Sequence, residues 1–246
     1  MLIRCDRHTQ ADLDHWNICE KQDAAWSRLR SFERVVLKAQ AAAESFIRDG
    51  ADYAGVSFGK DSTVLWDVMM RAQRAMGVVV PLVWVRVNPI YNPHCLLVRD
   101  ALLAQYPDAR YEEIAYDVDD TEWKKKGTGT LTRGFDKAAK MFGPRYLSGI
   151  RYDEGGIRKT RLAIHGFETK NTCAPLAWWK GADVFAYMHS RNLPVHPAYA
   201  MTRGGLLNRE KIRVANIGGS RGTGFGRREW ESTYYPEELD RRSRSE

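Results

Sequence analysis

Tyr53-Ala-Gly-Val-Ser57-Phe58-Gly59-Lys60-Asp61-Ser62 is a short apolar segment that runs into a glycine-containing turn and then into polar, helix-opening residues. Residues 53–57 read as a buried strand, since a brief apolar run bounded by turn residues suits a sheet core. Beyond the turn, Val64, Leu65, Val68 and Met69 fall at i, i+1, i+4 and i+5, the spacing of a helix with one apolar face. Upstream, residues 23–48 read as one helix that Gly50 stops, with Leu29, Phe32, Val35, Val36 and Ala39 at helical spacing.

Downstream the alternation continues. Strands are expected near 78–87, 111–116 and 146–150, and helices near 93–105, 132–141 and 181–191. That order indicates an α/β fold: a Rossmann-like parallel sheet with helices on both faces. A helical N-terminal extension (1–48), a central α/β domain (49–200) and a basic C-terminal region (201–246) complete the expected organisation. The stretch 124–133, Lys-Lys-Lys-Gly-Thr-Gly-Thr-Leu-Thr-Arg, carries turn residues and charge without periodicity and reads as a loop. No internal repeat is visible.

The sequence has 246 residues, 43% hydrophobic and 28% charged, with eight Trp and eleven Tyr, which excludes a disordered chain. Its longest apolar run, Met76 to Val85, is broken by Pro81 and is about half the roughly 20 residues a bilayer requires. Residues 1–8 lack the apolar stretch of a signal peptide, so no membrane contact and a cytoplasmic location are expected. Cys5, Cys19, Cys95 and Cys173 are scattered and include no C-x-x-C pair, which argues against a zinc ribbon or a thioredoxin-like motif. The net charge is +7, and positive side chains crowd the last quarter, at Arg203, Arg209, Lys211, Arg213, Arg221, Arg227, Arg228 and the tail 241–244. A solvated tail and a phosphate-binding region both fit that crowding.

Gly55, Ser57 and Gly59 match the G-x-S-x-G nucleophile elbow, but the hydrolase fold that uses it places several strands before the serine, whereas mostly helical residues precede Ser57. A Walker loop fails because Asp61 follows Lys60, and the glycines of 222–226 miss G-x-G-x-x-G spacing. What remains is a loop with a glycine that permits close backbone approach, two serines, a lysine, and a helix start whose N–H groups and dipole attract anions. The plain alternative is a turn in which Asp61 or Ser62 merely caps the helix.

Ser57-Phe58-Gly59-Lys60-Asp61-Ser62 resembles the S-G-G-K-D-S loop of the adenine nucleotide alpha-hydrolase (PP-loop ATP pyrophosphatase) superfamily, with Phe58 in place of the middle glycine. Two further segments resemble its phosphoadenosine-phosphosulfate reductase and ATP sulfurylase small-subunit branch. Gly149-Ile-Arg151-Tyr-Asp153-Glu154 is similar to G-x-R-x-D-E. Pro175 to Tyr187 and Leu193 to Tyr199 are similar to P-L-x-x-W-x-x-x-D-V-x-x-Y and L-P-x-x-P-x-Y.

The resemblance implies that Ser57, Phe58, Gly59, Lys60, Asp61, Ser62, Gly149, Arg151, Arg158 and Arg161, with Lys159 nearby, hold ATP or a related adenine nucleotide. Lys60, Arg151 and Asp153 are then the catalytic candidates, and Asp61 and Asp153 the expected magnesium ligands. For Asp153 and Glu154, pairing with Arg151 or Arg158 is the structural alternative. Reductases of the branch attack with a cysteine in an E-C-G-L-H context, and no cysteine follows Cys173 here. The expected chemistry is therefore attack on the ATP α-phosphate, adenylylating an acceptor and releasing pyrophosphate. The partners implied are an anionic second substrate, nucleic acid among the candidates, and a partner subunit. A reductase-like protein using an external thiol, and a binding module without turnover, are the alternatives.

Overall fold

Five strands, β1 (Tyr53–Val56), β2 (Leu82–Asn88), β3 (Tyr111–Asp117), β4 (Tyr146–Ser148) and β5 (Thr172–Cys173), form one sheet in the order β3-β2-β1-β4-β5, every pair parallel. The computed structural model describes residues 1–88, 90–118, 130–214, 216–217 and 227–243. Residues 124–129, Arg221, residues 222–226 and Arg244 lie outside them, as do the side chains of Arg241 and Arg242. Helices α1 (Gln10–Trp26), α2 (Arg30–Arg48), α3 (Lys60–Met76), α4 (His94–Gln105), α5 (Thr130–Phe142), α6 (Gly156–His165), α7 (Gly181–Ser190), α8 (Arg227–Tyr234) and α9 (Pro236–Ser243) surround the sheet. None of the described helices is long and apolar enough to cross a membrane.

Alternation along the strands fills both faces. Ala54, Val56, Leu82 and Trp84 join Phe46 of α2, Leu65 and Met69 of α3 and Val184 of α7 in the main core. Tyr53, Val83 and Ile114 pack with Ala138 of α5 in a second cluster on the other face. The α/β reading, with helices on both faces, therefore holds.

Several boundaries differ from the sequence expectation. The single helix over 23–48 is two helices. α1 starts at a capping box, in which Thr9 Oγ1 accepts from the Asp12 N–H at 3.1 Å and Asp12 Oδ2 accepts from the Thr9 N–H at 3.2 Å. The chain then turns at residues 27–29 before α2. The strand expected from 78 begins only at Leu82, after Pro81, and the loop expected to reach 133 gives way to α5 at Thr130. α6, α8, α9 and the two-residue β5 carried no expectation.

The flanking segments are pinned to the central one by buried polar contacts. Asp12 Oδ1 accepts from the backbone N–H groups of Thr202 and Gly204, each at 3.0 Å, and the Tyr234 hydroxyl donates to its other oxygen at 2.9 Å. Asp23 pairs with Arg209, whose guanidinium also lies 4.0 Å from the Phe185 ring centroid. Trp16, Phe32, Val214 and Trp230 all belong to the main core.

Between α4 and α9, His94 lies 5.9 Å from the His196 ring and 5.6 Å from the Tyr235 ring. Burial, then Arg7, lowers the His94 pKa to about 4, and burial, then His94, holds His196 well below its ordinary value. An unfolded histidine takes up its proton near pH 6.5, whereas folded His94 refuses it until about 4. The stability from keeping this ring neutral is thus complete above pH 6.5 and lost as pH falls through about 4. The melting temperature is expected to decline across that interval, and to decline less in His94→Gln; a flat wild-type profile from pH 7 to 4 would contradict this.

Candidate functional site

The strand order changes direction between β1 and β4, and in open α/β sheets the crevice outside such a switch point is where ligands bind. Residues 57–62 leave the end of β1 there, and residues 149–154 leave the end of β4. The two loops meet closely. A Cβ placed on Gly149 would lie 3.0 Å from the carbonyl carbon and oxygen of Asp61 and 3.2 Å from the Ser62 nitrogen. Because those are backbone atoms, Gly149→Ala must push the loops apart, and overpacking of this kind costs about 1–3 kcal/mol. Its urea unfolding midpoint is expected to fall accordingly, whereas an unchanged midpoint would show that the contact is not required.

Gly59 caps α3 with extended backbone, and no side-chain cap hydrogen bond forms there. The first turn of α3 therefore keeps its positive end open, apart from the Lys60 N–H, which donates to the Tyr199 hydroxyl at 2.9 Å. The Ser62 hydroxyl donates to the Gly59 carbonyl at 3.0 Å, and Ser57 Oγ reaches Ser62 Oγ at 3.4 Å. Phe58 has φ 59°, the left-handed conformation that a glycine in its place would adopt freely. For a side-chain-bearing residue this costs about 1–2 kcal/mol. Its ring is buried against Trp84 (centroids 4.9 Å), Trp66 (6.0 Å) and Tyr111 (6.0 Å), and each such contact contributes about 0.5–1.5 kcal/mol beyond burial. The aromatic contacts outweigh the strain, so the loop keeps its shape with Phe58.

Asp61 joins the two loops. Its Oδ2 accepts from Lys60 Nζ at 2.9 Å and its Oδ1 from Arg151 Nε at 2.5 Å, while Arg151 also donates to the Trp179 carbonyl at 3.0 Å. Lys60 and Arg151 are buried. Burial alone would raise the Asp61 pKa, but Lys60 and Arg151 overcome it and hold the carboxyl below its ordinary value. Burial likewise opposes the charged Arg151, and Asp61 overcomes it, so the Arg151 pKa is raised.

A second layer of charge surrounds this cluster. Glu154 Oε2 accepts from the Arg151 backbone N–H at 3.2 Å and pairs with Arg158. Asp153 lies 3.7 Å from Arg151 and 3.8 Å from Lys211. Arg213 donates to the Glu154 carbonyl at 3.0 Å. Burial first, and then repulsion from Arg158, lower the Arg213 pKa. Lys60, Arg151, Arg158, Lys211 and Arg213 thus face Asp61, Asp153 and Glu154, an excess of positive charge at an open helix end. Such a constellation suits a phosphate chain.

Both Asp61 oxygens face cations, Lys60 and Arg151, and Asp153 lies between Arg151 and Lys211, so these carboxylates are committed to ion pairs and do not fit the magnesium-ligand role expected for them. No three His, Cys, Asp or Glu side chains form a metal-type group among the described residues. Among the described residues, Arg161 reaches the Thr172 hydroxyl at 3.4 Å and is exposed, and Arg209 pairs with Asp23. Sequence reasoning named Lys211 and Arg213 only as part of the basic C-terminal crowding, where a solvated tail fitted equally, and gave Tyr199 no role, because each joins the site only through the fold. A cavity of about 460 Å³ lined by Arg28, Phe32, Arg71, Tyr187 and Arg191 shares no residue with the site.

None of the four cysteines is a poised thiolate. Cys95 Sγ lies 3.7 Å from the Ser57 carbonyl but is fully buried, and burial raises its pKa far above the ordinary thiol range. Burial pushes Cys173 up to about 12 and raises Cys5 and Cys19 as well.

Residues 53–206 match the family model described as the phosphoadenosine phosphosulfate reductase domain. Among solved structures, the FMN adenylyltransferase of Candida glabrata in complex with ATP is 14% identical at a TM-score of 0.51, over 76% of this chain and 67% of that one. That likeness is one of fold. The U34-tRNA thiolase NcsA of Methanococcus maripaludis, with its 4Fe-4S cluster, is 13% identical at a TM-score of 0.46, over 87% of this chain and 78% of that one. No curated protein matches the sequence.

Proposed function

This chain belongs to the phosphoadenosine phosphosulfate reductase domain family, within the adenine nucleotide alpha-hydrolase superfamily, and we propose that it binds ATP and transfers the adenylyl group to an anionic acceptor, releasing pyrophosphate. The observation that carries this reading is the Lys60-Asp61-Arg151 cluster at the open N-terminus of α3. Ser57, Gly59, Lys60 and Ser62 hold the phosphate chain, and Arg151, Arg158 and Arg213 neutralise it. Asp61 positions the two innermost cations, and Glu154 positions Arg151 and Arg158.

In the reaction, an acceptor oxygen forms a bond to the α-phosphorus while the bond from that phosphorus to the bridging oxygen breaks. The electron pair leaves on pyrophosphate, and the proton of a hydroxyl acceptor passes to solvent. Negative charge builds on the phosphoryl and bridging oxygens, so cations and N–H groups already in place stabilise the transition state without reorganising. Holding the acceptor beside the nucleotide supplies the rest. Thiol-based reduction has no support from the cysteines, all of which are raised in pKa and none of which is poised, since the nucleophile would have to be a thiolate.

The test is pyrophosphate release from ATP with a panel of oxyanion and hydroxyl acceptors, run beside adenosine phosphosulfate and phosphoadenosine phosphosulfate with a thioredoxin. Release with at least one acceptor is the expected result. Sulfite production without pyrophosphate release would replace the reading with reduction by an external thiol, and tight ATP binding with neither product would leave a binding module.

A further inference from the structure

The cavity of about 460 Å³ opens where the turn before α2 meets α3 and α7. Part of its lining is apolar: Phe32, Val36 and Leu37 stand at i, i+4 and i+5 on α2, the spacing of one helix face, and Leu37 is 61% exposed. The rest is mainly cationic, with Arg28 from the turn, Arg71 from α3 and Arg191 from the end of α7, against the single carboxylate of Glu33. Among the described residues, none of these three guanidinium groups makes an ion pair. Arg71 is half-buried, and its Nη1 is sealed from solvent without a hydrogen-bond partner. Asp67, one turn earlier on the same helix, is already occupied: it accepts from the Tyr106 hydroxyl at 2.5 Å and from the Tyr187 hydroxyl. A buried donor without a partner is rare in a folded protein and marks a place where an ion, a water or a ligand completes the bonding. The walls are braced in advance. The rings of Phe32 and Tyr187 meet Trp179 edge-on, with centroids at 6.5 and 5.4 Å, and Arg191 lies 5.9 Å over the Tyr187 ring.

We propose that this cavity is a second ligand site, for a small organic oxyanion whose carboxylate or phosphate head is taken by Arg71 and Arg191 and whose apolar body lies on Phe32 and Val36. The planar guanidinium fork matches both kinds of head. Three positive charges against Glu33 favour an anion over a neutral or cationic ligand. A bare inorganic ion would leave the apolar wall uncovered, and a neutral hydrocarbon would strip water from the arginines without replacing its hydrogen bonds. The site is independent of the adenylyl-transfer reading, because neither Lys60 nor Arg151 borders the cavity.

Calorimetry on the full chain with phenyl phosphate and octanoate as probes tests this, with inorganic phosphate and phenol as the separate halves of the first. At least one probe is expected to bind, phenyl phosphate reporting a phosphate head and octanoate a carboxylate head. Inorganic phosphate and phenol are each expected to bind more than about tenfold more weakly than phenyl phosphate if that is the probe held. Arg71→Met is expected to weaken the bound probe by about 10–100-fold, the worth of a charged hydrogen bond, and Arg71→Lys to recover part of it. Arg191→Gln, at an exposed position, supplies a second variant that leaves the core untouched and is expected to weaken the same probe. Binding is expected to persist in Lys60→Ala, which separates this cavity from the phosphate cradle after β1. Loss of probe binding in Lys60→Ala but not in Arg71→Met or Arg191→Gln would assign the anion to that cradle and overturn the proposal. So would inorganic phosphate binding as tightly as phenyl phosphate, no binding of either probe at millimolar concentration, or sedimentation showing a dimer that Leu37→Glu disperses.

Discussion

Replacing Lys60 with alanine is expected to reduce pyrophosphate release from ATP by about 10²–10³-fold, the scale seen when one preorganised charge-stabilising donor is removed from a phosphoryl or acyl transfer site. The reason lies in its surroundings. The Lys60 ammonium is buried, its carboxylate partner Asp61 is shared with Arg151, and its own backbone N–H is held by Tyr199. It therefore meets developing negative charge at a fixed position and in low dielectric, where a charge acts far more strongly than in water. A steady-state pyrophosphate assay reads the effect. Lys60→Arg should recover only part of the rate, because the planar guanidinium is wider than the ammonium and does not fit the same contact. Wild-type turnover in Lys60→Ala would mean that phosphate is handled elsewhere.

Asp61→Ala is expected to destabilise the fold by about 3–5 kcal/mol, the usual consequence of leaving a buried charge without its partner. Here two buried cations, Lys60 and Arg151, lose the same carboxylate, and the loops after β1 and β4 lose the side chain that joins them. Chemical denaturation measures it directly, and a loss below about 1 kcal/mol would show that the cluster is solvated rather than buried. The pH dependence separates this contribution from that of the histidines. The Asp61 pKa is lowered in the fold, so its stabilisation is complete above the ordinary carboxylate value of 3.8 and disappears only as pH falls through a lower folded value. The His94 contribution starts to fail much earlier, below pH 6.5. Asp61→Ala should thus lower the melting temperature by a similar amount at pH 7 and pH 5.

The centre of the fold was legible because its signals are local. Residues 53–70 show strand, turn and helix in order, and the apolar positions of α3 follow the helical period without interruption. α1 was not legible, because its buried positions are Asp12, Trp16, Cys19 and Asp23. The two carboxylates break the apolar pattern, and their partners Thr202, Gly204, Tyr234 and Arg209 lie nearly the whole chain away. α6 was missed for the opposite reason, since its apolar Ile157 and Ile164 face solvent.

The site divides in the same way. Ser57 to Ser62 and Gly149 to Glu154 could be read from spacing and resemblance, and the structure brings them within contact distance of each other. The expected metal role of Asp61 could not be checked in sequence, because its competition between Lys60 and Arg151 exists only after folding. Lys211 and Arg213 sit in a basic stretch where Arg209 looks equivalent. Only packing separates the two that face Asp153 and Glu154 from the one that pairs with Asp23.

The most direct test of the phosphate-site assignment is calorimetric binding of ATP compared with adenosine, which offers the same base and sugar without phosphates, in the wild-type chain and in Lys60→Ala. ATP is expected to bind far more tightly than adenosine in the wild type, and that difference is expected to collapse in the variant. Equal binding of ATP and adenosine by the wild-type chain would contradict the assignment of residues 57–62 as a phosphate cradle.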